Sequence, residues 1–369
     1  MAYTMFDRRS ILAGGALLPL YGALAARPAP ALRVMLLGQA LIQQDLRAAA
    51  WPGRAGIAAL LKNADVVFTD LETAIANPAA GAPTRVGEVL HAAPPAVIDC
   101  LKELGVSLVA TSNNHGWDLG TPGILAILAE LDRRRIHHAG SGADLASATA
   151  AAVQSTPHGA VALVAAAAGA IREGAAATPI RPGVNELRRN ADGALNGDDV
   201  ARTLDAIRAA RRAGNIVIAY LHNHYWETDP AATPEWQRIY ARACVDAGAA
   251  IFIAHGPPLL QGIERYKGAP LLHGLGSLIF QTRKTGTSYG PEAWQSLIVD
   301  ARFRDGAFAS GRVIPVQLDS SRATPDAEYT RGIPAIARGR EGGEILRHVG
   351  ALSARLGFTA DISGDRIIL

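Results

Sequence analysis

Residues 106–120 read VSLVATSNNHGWDLG, and the reading of that stretch decides the fold. Val106 to Ala110 is short, β-branched and nearly continuous in apolar content, as in a strand covered on both faces. It runs into the polar string Thr111-Ser112-Asn113-Asn114-His115. At Thr121-Pro122 a helix is expected to open, with Thr as cap and Pro at the first helical position. Similar apolar runs appear on either side: Arg33 to Gly38 and Asp65 to Thr69 upstream, then Val161 to Ala166, Ile216 to Leu221, Ile251 to Ala254 and Leu271 to Leu275. A second helix is expected from Thr233-Pro234-Glu235, with the apolar stripe Trp236, Ile239, Tyr240, Ala243, Cys244 and Ala247, closed by Gly248. Strands alternating with helices predict an α/β sheet protein.

Two stretches depart from the alternation. Glu173 to Gly197, rich in Ala, Pro, Gly and Asn, reads as an inserted loop. From about Pro315 the strands are expected to stop. Glu341 to Leu356 then reads as a helix, and Phe358 to Leu369 as a hairpin turning at Gly364-Asp365. These observations divide the chain into a leader at 1–31, a main domain at 32–318 and a small helix-hairpin appendage at 319–369.

The leader carries Asp7-Arg8-Arg9-Ser10-Ile11-Leu12, a weak apolar stretch from Ile11 to Ala26 and the small-residue exit Ala23-Leu24-Ala25. This is the pattern of a twin-arginine export signal, although Ala13 stands where a lysine often follows. It predicts a periplasmic protein. The alternative, retention as a membrane anchor, is disfavoured by Gly14, Gly15, Pro19 and Gly22 in so short a segment. Replacing Arg8 and Arg9 by Lys is expected to hold the protein in the cytoplasm; fractionation with intact-mass measurement checks this, and unchanged export of the double variant contradicts it. Cys100 and Cys244 lie far apart in expected helices. Two buried free thiols are preferred to a disulfide.

With 369 residues, 49% of them hydrophobic, the chain can bury a large core. Net charge is only +3, and no long basic run or zinc-finger spacing occurs, which argues against nucleic acid as a partner. The chemistry is expected beyond the carboxyl ends of the strands. Gln39 follows the first strand, Glu72 the second, and Asn114-His115 the third. Later strands run into His222-Asn223-His224, His255 and His273, so that five of the ten histidines fall at strand exits. Carboxylate, amide oxygen and imidazole together suit a divalent ion such as Mn²⁺, Fe²⁺ or Zn²⁺.

Several elements resemble the CapA family of capsule and poly-γ-glutamate biosynthesis proteins. Asp70-Leu71-Glu72 is similar to its N-L-E element, and Ser112 to Gly120 to its A-N-N-H-x-x-D-x-G element. Asp246-Ala247-Gly248-Ala249 with His255-Gly256-Pro257 resembles D-A-G-A-D and G-H-x-P-H. Gly262 to Gly268 and Leu275 to Phe280 resemble the closing strands. The resemblance, over roughly residues 33–285, implies the four-layer αββα sandwich of the calcineurin-like metallophosphatases. It also implies a metal site in which Glu72, Asn114, His222 and His255 are ligands and His115 meets the substrate.

Two departures matter. The family scheme's early Asp is Gln39 here, and its final His is Pro258. Both positions serve the same one of two metal ions, so at most one divalent ion per chain is expected, with affinity falling below about pH 6.5 if the histidines titrate. Gln39, His224 and His273 are secondary candidates, and His224, His273 or Asp45 would have to serve any second ion. Arg172, Arg181 and Asn185, in or beside the inserted loop, are candidates to bind substrate, with Arg188 nearby. The expected partner is an anionic envelope polymer or a small anionic substrate. The expected function is a metal-dependent, hydrolase-like activity; the alternative is a polymer-binding or assembly protein that keeps the cleft without two-metal chemistry.

Overall fold

The apolar runs form strands because each has sheet neighbours at its edges and packing on both faces. The computed structural model describes residues 31–85, 90–282, 289–320 and 331–369. All but the last residue of the expected leader lies outside them. A nine-stranded sheet has Leu32–Leu37, Val66–Asp70, Leu108–Ala110 and His137–Ala139 as its parallel part. A six-stranded sheet has Gly159–Ala168, Ile216–Asn223, Ile251–His255 and Ala269–Leu272 parallel at its centre.

Side chains alternate across each sheet, and this alternation builds four layers. Val34, Leu36 and Phe68 of the larger sheet meet Leu163, Ile218 and Ile253 of the smaller one in the central core. The rings of Phe68 and Tyr220 meet edge-on at 5.4 Å across this interface. On the other face of the larger sheet, Met35, Val67 and Val109 pack with Ile57, Leu101 and Ile127 of helices Arg54–Leu61, Ala96–Glu103 and Gly120–Arg134. The outer face of the smaller sheet packs Val217 and Phe252 against Ile207 of helix Gly197–Arg212 and Tyr240 of helix Glu235–Asp246. The order helix, sheet, sheet, helix is the expected metallophosphatase-like sandwich.

Strands do not stop at Pro315. Ala307–Leu318 runs past it, and Pro334–Ile336 pairs with its end. Together with Gln295–Arg304 it forms a long hairpin laid antiparallel on Leu32–Leu37. Residues along Ala307–Leu318 alternate between buried and partly exposed, so this strand lacks the continuous apolar signature of the parallel ones. The C-terminal helix spans Gly339–Ala354 and buries Ile345, Leu346 and Val349 in the inter-sheet core. The hairpin Asp361–Ser363 and Arg366–Ile368 extends the larger sheet.

One helix start differs from expectation, and so does the buried face of another helix. One helix begins at Gly120 rather than after a Thr121 cap, and the Thr121 hydroxyl instead accepts the Trp117 indole N–H at 3.3 Å. The other has Pro234 as its N-cap, and its buried face is Gln237, Tyr240, Ala241 and Cys244. Ile239, placed in the stripe by its hydrophobicity, is 60% exposed. Cys100 and Cys244 are buried free thiols. Among the described residues no helix is long and apolar enough to cross a membrane.

Candidate metal centre

The carboxyl ends of both sheets open on a cleft of about 680 Å³, whose walls include Gln39, Glu72, Asn114, His115, His224 and Pro258. The polar exits are held by one another. Glu72 leaves its strand with its N–H bonded to the Ala40 carbonyl at 3.1 Å. Asn113 pins the next exit beside it. Its Nδ2 donates to Asp70 Oδ1 at 3.1 Å and to the Leu71 carbonyl at 2.9 Å, while its Oδ1 accepts the His115 N–H at 3.1 Å. The Asn113-Asn114 pair thus divides its work: Asn113 ties the turn, and Asn114 faces the cleft.

His222 arrives from the other sheet. Its Nε2 stands 2.9 Å from Asn114 Oδ1 and 3.6 Å from Glu72 Oε1, and its Nδ1 is 3.1 Å from Asp70 Oδ2. The Asp70 carboxylate lies behind the ring, although Oδ2 makes no hydrogen bond there. His224 stacks on His222 with ring centroids 4.9 Å apart. Glu72, His222 and His224 offer ligand atoms within 4.8 Å of one another.

His255 departs from the expected set. It sits in register with His222 on the adjacent strand, but its Nδ1 lies 3.2 Å from the Tyr220 hydroxyl and its ring is not part of this trio. His224, a secondary candidate, completes the trio with Glu72 and His222. The backbone between His224 and His255 is close: a Cβ on Gly256, whose φ is +147°, would meet the Asn223 carbonyl oxygen at 1.8 Å. Only glycine fits there.

The donors suit a cation. Glu72 Oε2, Asp70 Oδ2, His224 Nε2 and His255 Nε2 are all buried with no hydrogen-bond partner, a costly state for groups that nothing satisfies. Burial pushes His222 and His255 down to about 3 and His224 well below its ordinary value, so the rings are neutral and their lone pairs available. Burial also raises Asp70 to about 7. It pushes Glu72 well above the usual carboxylate range, reinforced by the neighbouring Asp70 and Asp118 charges. Two carboxyls crowded in a dry site are what a divalent ion would relieve.

Gln39 is committed elsewhere. Its Nε2 donates to the Gly256 carbonyl at 3.3 Å and its Oε1 accepts the Gly256 N–H at 3.2 Å. The amide therefore ties two strand exits together. Pro258, lining the same wall, has no ligand atom in its side chain.

Asp118 organises the opposite wall, and every contact it makes is an acceptance. Oδ1 takes Arg85 Nε at 2.6 Å and Arg172 Nη2 at 2.8 Å, and Oδ2 takes the His91 N–H at 3.0 Å and pairs with His115 Nδ1 at 2.8 Å. Burial alone would raise this carboxyl, but the bonds from His115 and Arg85 outweigh it and hold it low. Burial lowers His115 in spite of Asp118. The ring is thus neutral with its proton on Nδ1, and Nε2 presents a lone pair. As found, His115 is a proton acceptor rather than an acid.

The remaining expected residues lie elsewhere. His273 faces the outer layer, against Gln237 and near Glu264. Arg172 reaches Asp118 and lies over the Trp117 ring, behind the wall. Arg181 is spent on the Ala176 carbonyl within its own loop. Asn185 is fully buried and donates to the Ala165 carbonyl at 2.9 Å, and Arg188 pairs with Asp199. Of the side chains expected to clamp substrate, Asn185 pins the inserted loop to the smaller sheet, and neighbouring Arg188 ties it to helix Gly197–Arg212. Arg85 and His91, which do line the cleft, follow no predicted strand, and Trp226, which lines it too, lies two residues beyond the quoted His222-Asn223-His224 exit. Only Asp118 stood inside a quoted motif, without a role.

Residues 33–282 match the family described as Bacterial capsule synthesis protein PGA_cap. The chain is 25% identical to the uncharacterized protein y4sH of Sinorhizobium fredii, covering 94% of each chain. It is 30% identical to the probable polyglutamine synthesis accessory protein Rv0574c of Mycobacterium tuberculosis, over 73% of this chain and 69% of that one. It is 24% identical to the PGA biosynthesis protein CapA of Bacillus subtilis, over 62% of this chain and 55% of that one. With the match spanning both sheets and every strand exit of the cleft, the chain belongs to the bacterial capsule synthesis PGA_cap family.

Proposed function

We propose that this protein is an exported, one-metal, hydrolase-like member of its family, acting on an anionic substrate in capsule or related envelope-polymer biosynthesis. The observation that carries the reading is the convergence of Glu72, His222 and His224, with Asn114 Oδ1 beside them, at the floor of an open cleft. A divalent ion held by that set would supply Lewis acidity to the scissile group. His115 Nε2, aimed by Asp118, would take a proton from the attacking group. Arg85, the cation among the described lining residues (the imidazoles aside), would favour negative charge on the substrate. Gln39 and Pro258 limit the centre to one ion.

The second reading, a polymer-binding or assembly protein, is favoured by the locked Gln39 amide, because two-metal ester chemistry needs both positions. Assays of phosphodiester and γ-glutamyl amide hydrolysis with and without Mn²⁺ separate the two. Metal-dependent turnover that disappears in His115→Ala supports the enzyme; saturable binding of poly-γ-glutamate without turnover supports the binder.

The pH dependence differs from the first expectation. Burial keeps the imidazoles neutral far below pH 6.5, so they do not set the profile. Glu72, with its pKa raised, must lose a proton to bind an ion. Affinity therefore rises with pH, by about tenfold per unit, until the pH passes the raised value. Calorimetric titration with Mn²⁺ at several pH values in buffers of different ionisation enthalpy should show about one proton released per ion. A flat profile with no release contradicts this.

A further inference from the structure

A chain of buried polar side chains runs behind the smaller sheet from the helix surface to the metal-site turn. Glu264, Asn223, Gln237 and His273 are all at most 4% exposed. Arg238 and Arg242 hold Glu264 from the outside, with Arg238 Nε at 2.9 Å. His273 Nε2 lies 3.6 Å from Glu264 Oε2. Gln237 Nε2 meets His273 Nδ1 at 3.2 Å and the His273 carbonyl at 3.3 Å. Gln237 Oε1 accepts Asn223 Nδ2 at 2.7 Å, and Asn223 Oδ1 accepts the Tyr225 N–H at 2.7 Å. The Asn223 carbonyl accepts the Trp226 indole N–H, also at 2.7 Å.

Each link fixes the next. A backbone N–H at Tyr225 can only donate, so Asn223 must present its oxygen there and its amino group to Gln237. Gln237 must then turn its own amino group to His273. His273 must accept on Nδ1 and carry its proton on Nε2, toward the Glu264 carboxylate. One arrangement satisfies the links from Tyr225 to His273 Nδ1, while His273 Nε2 faces Glu264 without a hydrogen bond, and the inner end clamps residues 223–226. That turn bears His224, whose Nε2 is unpartnered at the candidate metal centre, and Trp226, whose ring lies 4.8 Å from His224 and is 43% exposed.

We propose that Gln237 is a positioning residue: through Asn223 it fixes the 223–226 turn that brings His224 to the metal set and holds Trp226 against it. The metal half of this proposal rests on the reading above; the Trp226 half does not. It also accounts for the helix face that hydrophobicity alone misreads, with a glutamine buried where Ile239 is turned out.

The test uses the full chain and two readouts. Co²⁺ alone is titrated, following affinity and visible absorption. Acrylamide quenching of Trp226 is taken as the difference between each protein and the same protein carrying Trp226→Phe. Gln237→Leu is expected to weaken Co²⁺ binding by about 10- to 100-fold, the usual effect of losing a group that orients a ligand, to shift the visible bands and to raise Trp226 quenching. Ile239→Ala, on the same helix but exposed, should leave both readouts unchanged. Gln237→Met keeps the side-chain length and carries the test if Gln237→Leu does not fold. Wild-type Co²⁺ affinity together with wild-type Trp226 quenching in the folded variant overturns the proposal, since a merely structural role would lower thermal stability and move neither. If His224→Ala binds Co²⁺ as wild type does, the metal reading falls and Trp226 quenching alone decides the role of Gln237.

Discussion

His222→Ala is expected to abolish specific metal binding, lowering affinity by more than the roughly 10- to 100-fold that losing a supporting group costs. The reason is central placement. His222 Nε2 faces both Asn114 Oδ1 and Glu72 Oε1, and Asp70 Oδ2 lies 3.1 Å from the Nδ1 side of the ring. Without the imidazole the smaller sheet contributes only His224 to the donor set. His224→Ala should be nearly as severe, since its unpartnered Nε2 completes the trio. His255→Ala should be milder, because that ring lies outside the Glu72, His222 and His224 set. The order of the three variants, read by calorimetry with Mn²⁺, distinguishes this centre from the one that motif matching alone implies, in which His255 is indispensable. Unfolding curves in chelator separate ligand loss from loss of fold.

Asp118→Asn is expected to be the most damaging near-isosteric change, costing on the order of 3 kcal/mol in stability. An amide has one accepting atom where the carboxylate has two. Both Asp118 oxygens are ringed by donors: Arg85 and Arg172 at one, the His91 N–H and His115 Nδ1 at the other. Whichever way the amide turns, its NH₂ confronts donors in a fully buried position. His115 would lose the partner that sets its tautomer, so any turnover should fall with the stability. The stabilisation contributed by the depressed Asp118 pKa is present above the unfolded value of about 3.9 and is lost as pH falls through the lower folded value. Denaturant titration at pH 7 checks the claim; a variant within about 0.5 kcal/mol of the parent, the range of an ordinary surface change, would refute it.

The parallel strands were legible in the sequence because burial on both faces leaves a continuous apolar run. The exits were legible because polar residues right after such runs have few other reasons to be there. Ala307–Leu318 was not, since a partly exposed antiparallel strand alternates and carries Pro315 without penalty near its end. The choice between His224 and His255 was beyond the motifs: both follow strands, and only the fold stacks His224 on His222 within reach of Glu72. The loop arginines misled because a guanidinium in a polar loop signals an anionic partner without saying whose. Asp118 and a backbone carbonyl supplied it for Arg172 and Arg181. Gln237 was passed over because its role depends on Asn223 and His273, which only the fold brings beside it.

The central claim is a single ion bounded by Glu72, Asn114, His222 and His224. The most direct measurement is an anomalous difference map from crystals of Mn²⁺-loaded protein, collected with elemental analysis of the same sample. One peak within bonding distance of Glu72, His222 and His224, at one equivalent per chain or fewer, is the predicted result. Two fully occupied peaks, or a peak bounded by Gln39 and the Pro258 wall instead, would contradict it.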